Sequence, residues 1–166
     1  MENKYLYTTE VEWTGERHGE LRAPALPKLT VDAPPEFKGH EGVWTPEHLF
    51  VASVNSCFMT TFLAIAENSK LEFVKFHSDA EGKLENVKDR GLMITHITLR
   101  PKLVVKHSRD TERALRIFNK AEKNCLVSKS IRAGKSLVQR VPRATAHRLS
   151  KRGDTGAVAQ SNHLTP

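Results

Sequence analysis

The amino-acid sequence predicts an α+β fold in the order β-β-β-α-β-β-α, and three observations carry that prediction. Near the N-terminus Tyr5, Tyr7, Thr9, Val11 and Trp13 alternate with Lys4, Leu6, Thr8, Glu10 and Glu12. Thr45-Pro46-Glu47 then opens a helix that stays apolar or small on nearly every side as far as Ala66. Two long alternating stretches, Leu71 to Glu85 and Gly91 to Lys106, precede a second helix with one apolar face. A period of two marks half-buried strands and a period near 3.6 marks helices.

The elements follow in order. The first strand ends at Gly15-Glu16-Arg17-His18-Gly19, a tight loop between two glycines. Glu20 to Arg22 and Lys28 to Val31 supply two short strands, and Ala33-Pro34-Pro35 with Gly39 to Gly42 marks a longer loop. Thr45 suits an N-cap, Pro46 the first helical position, and Glu47 the first turn, where negative charge is favoured. A helix apolar nearly all round predicts burial on most sides, hence a central helix wrapped by sheet or covered by a second subunit. Val74, Phe76, Ser78 and Ala80 alternate in the next strand, and Ile97, Leu99, Leu103 and Val105 in its partner. Pro101 predicts an edge or a bulge there. Ser108 is placed to cap the last helix, whose inner face carries Ala114, Leu115, Ile117, Phe118, Ala121 and Cys125.

One domain accounts for residues 1–135. The remaining 136–166 read as a polar, basic, disordered tail, with a brief strand allowed at Ser136-Leu137-Val138. The formal net charge of +7 belongs largely to that end. From Arg132 onward seven basic residues face Asp154 alone, whereas the rest of the chain holds 19 basic and 18 acidic residues. A phosphate-binding surface needs basic residues grouped on a folded face, so no nucleic-acid partner is expected. No uninterrupted apolar run reaches the roughly 18–20 residues of a membrane span. Met1 to Tyr7 lacks an apolar h-region. A cytoplasmic protein without a membrane partner is therefore expected. Cytoplasmic thiols stay reduced, so the two cysteines are inert core residues or a redox pair.

Cys57 lies deep in the central helix, beyond the reach of the N-terminal dipole. Burial alone raises a thiol pKa and makes it inert, so a core cysteine is one reading. A nucleophile is the other, and it requires a nearby cation to hold the thiolate. Arg17 is the candidate cation, against the plainer role of a solvated turn charge. Glu47 is either a helix-start acid or a carboxylate that pairs with Arg17 and aims its guanidinium. On a helix, the ten-residue spacing of Glu47 and Cys57 sets them about 80° apart around the axis and about 15 Å apart along it. Arg17 bridges that gap only if its loop crosses the helix or if the helix starts later than Pro46. A second thiol can condense with an oxidised Cys57, and Cys125 is the available one. There is no Cys-X-X-Cys, no His-Glu-X-X-His and no phosphate loop. His40, His48 and His77 read as surface or structural residues, and no metal site is expected.

Four segments together resemble a known family: Thr14 to Gly19, Thr45 to Ser53, Asn55-Ser56-Cys57-Phe58, and Ala121 to Cys125. Their order and spacing are similar to the OsmC/Ohr proteins, the osmotically inducible and organic hydroperoxide resistance proteins, from about Tyr5 to Ile131. The resemblance implies an intertwined homodimer with active sites at the subunit interface. It implies Cys57 as peroxidatic nucleophile, Cys125 as the thiol that resolves it into a disulfide, and Arg17 and Glu47 as their partners. It further implies no metal and no organic cofactor, an organic hydroperoxide substrate, and re-reduction by thiols or lipoyl-bearing proteins. Phe50, Phe58, Met59 and Phe62 are candidates for an apolar substrate pocket, with core packing as the competing role of each. A non-enzymatic dimer that binds an apolar ligand or senses redox state is the alternative. Two departures stand out: Val54-Asn55-Ser56 replaces the small apolar residues favoured in the peroxidase subgroup, and the chain after Ile131 does not resemble the family's final strand.

Overall fold

A computed structural model describes residues 4–142. Most of the predicted tail, 143–166, lies outside the described residues. The strands form two separate three-stranded sheets. The first contains β1 (Glu10–Gly15), β2 (His18–Arg22) and β3 (Leu29–Val31), paired antiparallel in that order. Pairing puts Trp13 opposite Gly19 and breaks register between Trp13 and Gly15. The second contains the long hairpin of β4 (Phe73–Val87) and β5 (Gly91–Val105), with a short β6 (Gly134–Leu137) beside β5. Between the sheets in sequence runs α1 (Pro46–Asn68), and after β5 come α2 (Thr111–Asn124) and α3 (Leu126–Ser130). The α+β class and its element order are as the sequence predicts, with α3 and β6 added at the end.

α1 begins where expected. Thr45 is its N-cap, and the Thr45 hydroxyl accepts the His48 N–H at 3.3 Å. Its buried stripe is Val54, Phe58, Phe62 and Ala66, a strict i, i+4 row. That row meets Phe118 and Ala121 of α2 and Ile97, Leu99, Leu103 and Val105 of β5 in a single core. Phe62 is its hub, with ring centroids 4.9 Å from Phe118, 5.0 Å from Phe76 and 5.7 Å from Phe73. α1 also presses close to β4. A Cβ on Gly82 would lie 2.5 Å from a Val51 methyl, so a glycine is required at that crossing.

Several expectations are corrected. Burial on most sides of α1 does not hold within one chain, where Met59 and Leu63 are 37% and 39% exposed. α1 is in fact long and apolar enough to cross a bilayer on length and composition. Its buried stripe is nevertheless committed to this domain's core. The strand predicted from Tyr5 starts only at Glu10, and its apolar residues are not buried: Val11 is 67% and Trp13 74% exposed. The alternation is real, but none of the described residues of the same chain covers that face. Pro101 lies in the central strand rather than on an edge. Its missing N–H falls on the β6 side, since its carbonyl accepts the Arg140 N–H at 3.0 Å. The regular ladder with β6 accordingly stops at Leu99 and Leu137. β6 spans the point at which the sequence suggests a boundary between domain and tail, and the Lys102–Arg140 bridge carries ordered backbone past it. Ser108 opens a 3-10 turn before α2 and makes no side-chain cap.

Candidate functional site

The site grows out of the place where α1 passes the break between α2 and α3. Cys125 takes an extended conformation (φ −62°, ψ 116°), which ends α2 and starts α3. It is fully buried. Its sulfur lies 4.0 Å from the Val54 carbonyl of α1. One turn further along α1 is Cys57, half-buried, whose sulfur accepts the Val127 N–H at 3.5 Å. The first N–H groups of a helix have no partner within it, so the break that Cys125 creates also frees the donors that reach Cys57. Both thiols are free.

Their acidities separate. Burial pushes the Cys57 thiol up, but hydrogen bonds from the Cys125 thiol, the Val127 N–H, the Thr61 hydroxyl and the Leu126 N–H outweigh it. The result lies below the ordinary thiol value. Cys125 is raised, first by burial and then by Cys57 itself. A half-buried thiol made more acidic than usual thus stands beside a fully buried one made less acidic. That division suits a nucleophile and a resolving thiol.

Cys57 and Cys125, expected to meet, do meet. Arg17 and Glu47 are not brought to them within the described residues of one chain, since the donors on Cys57 are a thiol, a hydroxyl and backbone N–H groups. Arg17 lies in the β1–β2 turn and borders an open concavity of about 420 Å³ with Trp13, His18, Val31, Asp32 and Pro46. Glu47 borders a different one with Val51, Glu81, Gly82 and Ile94. Its Oε2 is buried and has no hydrogen-bond partner among the described residues.

Of the four pocket candidates, Phe58 and Phe62 have no exposed surface and belong to the core, and Phe50 packs against it. Packing, the competing role, is the one they take. Met59 borders a concavity with Asn55, Ser56, Phe76 and Ser78. Thr61, Leu126 and Val127 were not foreseen. Thr61 stands four residues after Cys57, which puts it one helical turn away, and that spacing was the available signal. The other two act through backbone N–H groups and leave no trace in residue type.

Fold and site together define a class: an α+β protein in which two helices bring a partly exposed thiol and a buried thiol into contact. The chain belongs to the OsmC-like protein family, whose model matches residues 39–138. The resemblance drawn from its sequence segments is thereby borne out. It is 26% identical over 133 residues to the uncharacterized protein YmaD of Bacillus subtilis (strain 168), covering 77% of this chain and 87% of that one. Among solved structures, an OsmC-like protein of unknown function from Vibrio cholerae superposes with a TM-score of 0.74 at 20% identity, over 84% of this chain and all of that one. An organic hydroperoxide resistance protein OsmC from Legionella pneumophila gives a TM-score of 0.65 at 26% identity, over 83% and 98% of the two chains. One from Elizabethkingia anophelis gives 0.71 at 19% identity, over 86% and 100%.

Proposed function

We propose that this protein is a cytoplasmic, thiol-dependent peroxidase that reduces organic hydroperoxides. The observation that carries this reading is the pairing of an acidified, half-exposed Cys57 with a buried, protonated Cys125. The Cys57 thiolate attacks the distal oxygen of ROOH. The O–O bond breaks, the sulfur is oxidised to a sulfenic acid, and ROH leaves with a proton taken from solvent. Cys125 then attacks that sulfur, the S–O bond breaks, a disulfide forms and water departs. An external dithiol, either small or a lipoyl group on a protein, reduces the disulfide and is itself oxidised.

Two copies of the chain make the working unit in this reading. Support comes from the bare apolar faces that Val11 and Trp13 of β1 and Met59 and Leu63 of α1 present to solvent. It comes also from the buried, partnerless Oε2 of Glu47, which asks for a cation that the described residues of its own chain do not supply. Arg17 in such a dimer pairs with Glu47 and extends its guanidinium toward the sulfur, holding the peroxide and favouring the thiolate. Preference for organic over hydrogen peroxide is assigned in this reading to apolar side chains near Cys57 in sequence, such as Met59, which borders a concavity with Phe76.

The deciding experiment treats the reduced protein with one equivalent of cumene hydroperoxide. Mass spectrometry is expected to find a Cys57–Cys125 disulfide, and added dithiol is expected to sustain turnover. Peroxide left unconsumed with both thiols unchanged overturns the proposal.

A further inference from the structure

A second cluster of reactive side chains lies away from the thiols, where the β1–β2 turn meets the loop between β3 and α1. Glu16 belongs to that turn, His18 opens β2, and His40 belongs to the loop. One ligand atom from each lies within 4.8 Å of the other two. The two imidazoles face each other with centroids 4.5 Å apart and planes 30° from parallel. We propose that Glu16, His18 and His40 form a binding site for a divalent transition-metal ion of the zinc type.

Asp32 gives the cluster the character of a built site. Its carboxylate has no exposed surface. Oδ1 accepts the Ala33 N–H at 2.6 Å and Oδ2 accepts the His40 N–H at 2.9 Å. The same Oδ2 stands 2.8 Å from His40 Nδ1 and 3.4 Å from His18 Nε2. Asp32 thus engages His40 through Nδ1. The other ring nitrogen, Nε2, faces the Glu16 Oε2 across 3.6 Å, too far for a hydrogen bond. A carboxylate behind a histidine whose far nitrogen binds the ion is the usual arrangement of a metal-ligating imidazole.

The donor chemistry selects the ion. Two imidazoles and one carboxylate suit zinc and its first-row neighbours, with the fourth position left for water. Zinc bonds of about 2.0–2.2 Å set tetrahedral ligand atoms about 3.3 Å apart. Glu16 and His40, 76% and 52% exposed at the side chain, have room to close the remaining ångström or so. Backbone rigidity holds His40 in place: Gly39 N–H donates to the Pro34 carbonyl at 3.1 Å. A Cβ on Gly39 would lie 1.6 Å from the Ala33 carbonyl oxygen, so only glycine lets the chain return to Asp32 there. Arg17 lies between two of the ligands in sequence, so a bound ion would also pin the turn that carries it.

Metal binding here needs no thiol, which makes its test independent of peroxidase activity. The full-length protein, stripped with a chelator, is titrated with zinc by calorimetry and with cobalt by absorption spectroscopy. One ion per chain is expected, with ligand-field bands and no thiolate charge transfer. His40→Ala and Glu16→Gln are each expected to weaken zinc at least tenfold, and Asp32→Asn to weaken it about 10- to 100-fold without changing the stoichiometry. Glu16 is exposed, so its variant tests the site without threatening the fold; thermal melting in the apo state checks the others. Absent binding, unchanged affinity in both His40→Ala and Glu16→Gln, or a thiolate charge-transfer band would each overturn the assignment.

Discussion

The Val127 N–H reaches the Cys57 sulfur at 3.5 Å, although 70 residues separate the two in sequence. The contact exists because Cys125 breaks the second helix one residue before Leu126 and turns free backbone donors toward the first. Within one chain, acidification of Cys57 thus comes from neutral donors rather than from a guanidinium. The resolving cysteine contributes twice, once as a reactant and once by setting the backbone that activates its partner.

That arrangement fixes a pH signature. Cys57 is depressed, so its thiolate persists to lower pH than an ordinary thiol, while Cys125 stays protonated to higher pH. Iodoacetamide labelling followed by peptide mass spectrometry should show Cys57 reacting across a pH range in which Cys125 is silent. The linked effects on stability oppose each other. Cys57 stabilises the fold above its unfolded pKa and loses that contribution as pH falls through its folded value. Cys125 contributes below its unfolded value and loses as pH rises. Reactivity, rather than melting temperature, is therefore the proper readout. Equal labelling of both thiols at every pH would contradict the assignment of roles.

Substitution separates the two sulfurs by kinetics. Cys57→Ser should abolish peroxide consumption altogether, whereas Cys125→Ser should keep the first oxidation and lose rapid turnover. In the latter variant a dimedone adduct on Cys57 is the expected product, because the sulfenic acid has no resolving thiol. Retained turnover in Cys57→Ser would remove the nucleophile from the proposal.

How far the sequence revealed this depends on which force placed each residue. Thr45-Pro46-Glu47 announced α1 because capping is local chemistry, but a helix apolar nearly all round did not reveal that Val54, Phe58, Phe62 and Ala66 would be its buried row. Val11 and Trp13 were misplaced because alternation predicts that a face will be covered without saying what covers it, and none of the described residues of this chain does. β6 was hard to see because four residues, Gly134 to Leu137, offer too short a pattern, and its pairing with β5 rests on backbone hydrogen bonds. The meeting of Cys57 with Cys125 was legible from two inward helix faces. The donors from Leu126 and Val127 were not, since a backbone N–H belongs to every residue but proline. Asp32, His18 and His40 escaped for another reason. Their convergence depends on two loops closing on each other, and no sequence spacing encodes it.

Stability tests the core separately from the chemistry. Phe62 is fully buried and touches rings from β4 and α2. Truncation to alanine leaves a cavity in contact with three aromatic neighbours, and such changes cost about 3–5 kcal/mol. Urea unfolding of Phe62→Ala should show a loss of that size, with Phe62→Leu intermediate. A loss under about 1 kcal/mol would mean that α1 does not pack on this core as described.

Glu47 offers the sharpest test of the assembled site. A buried carboxylate oxygen without a partner carries a desolvation cost of about 1–3 kcal/mol or more, and among the described residues Oε2 of Glu47 is in that position. If Arg17 of a second copy completes it, the two residues act as one unit on the Cys57 sulfur. Glu47→Gln and Arg17→Lys should then each lower kcat/KM for an organic hydroperoxide by about 10- to 100-fold, since lysine cannot reproduce the forked geometry of the guanidinium. The double variant should be scarcely worse than either single one, because removing one partner already disables the other. Multiplicative losses would mean that the residues work independently. Full activity in both singles would leave the thiol pair to act through its backbone donors alone. Mixing Arg17→Lys chains with Cys57→Ser chains extends the test. If the guanidinium crosses between subunits, such a heterodimer unites its one intact Arg17 with its one intact Cys57 in a single complete site and recovers half of the wild-type rate. If both residues serve within one chain's own site, neither site is complete and no activity is recovered. Placing both substitutions on one chain and pairing it with the unsubstituted chain reverses the expectation. Crossing then leaves neither site complete, whereas service within one chain keeps half of the wild-type rate.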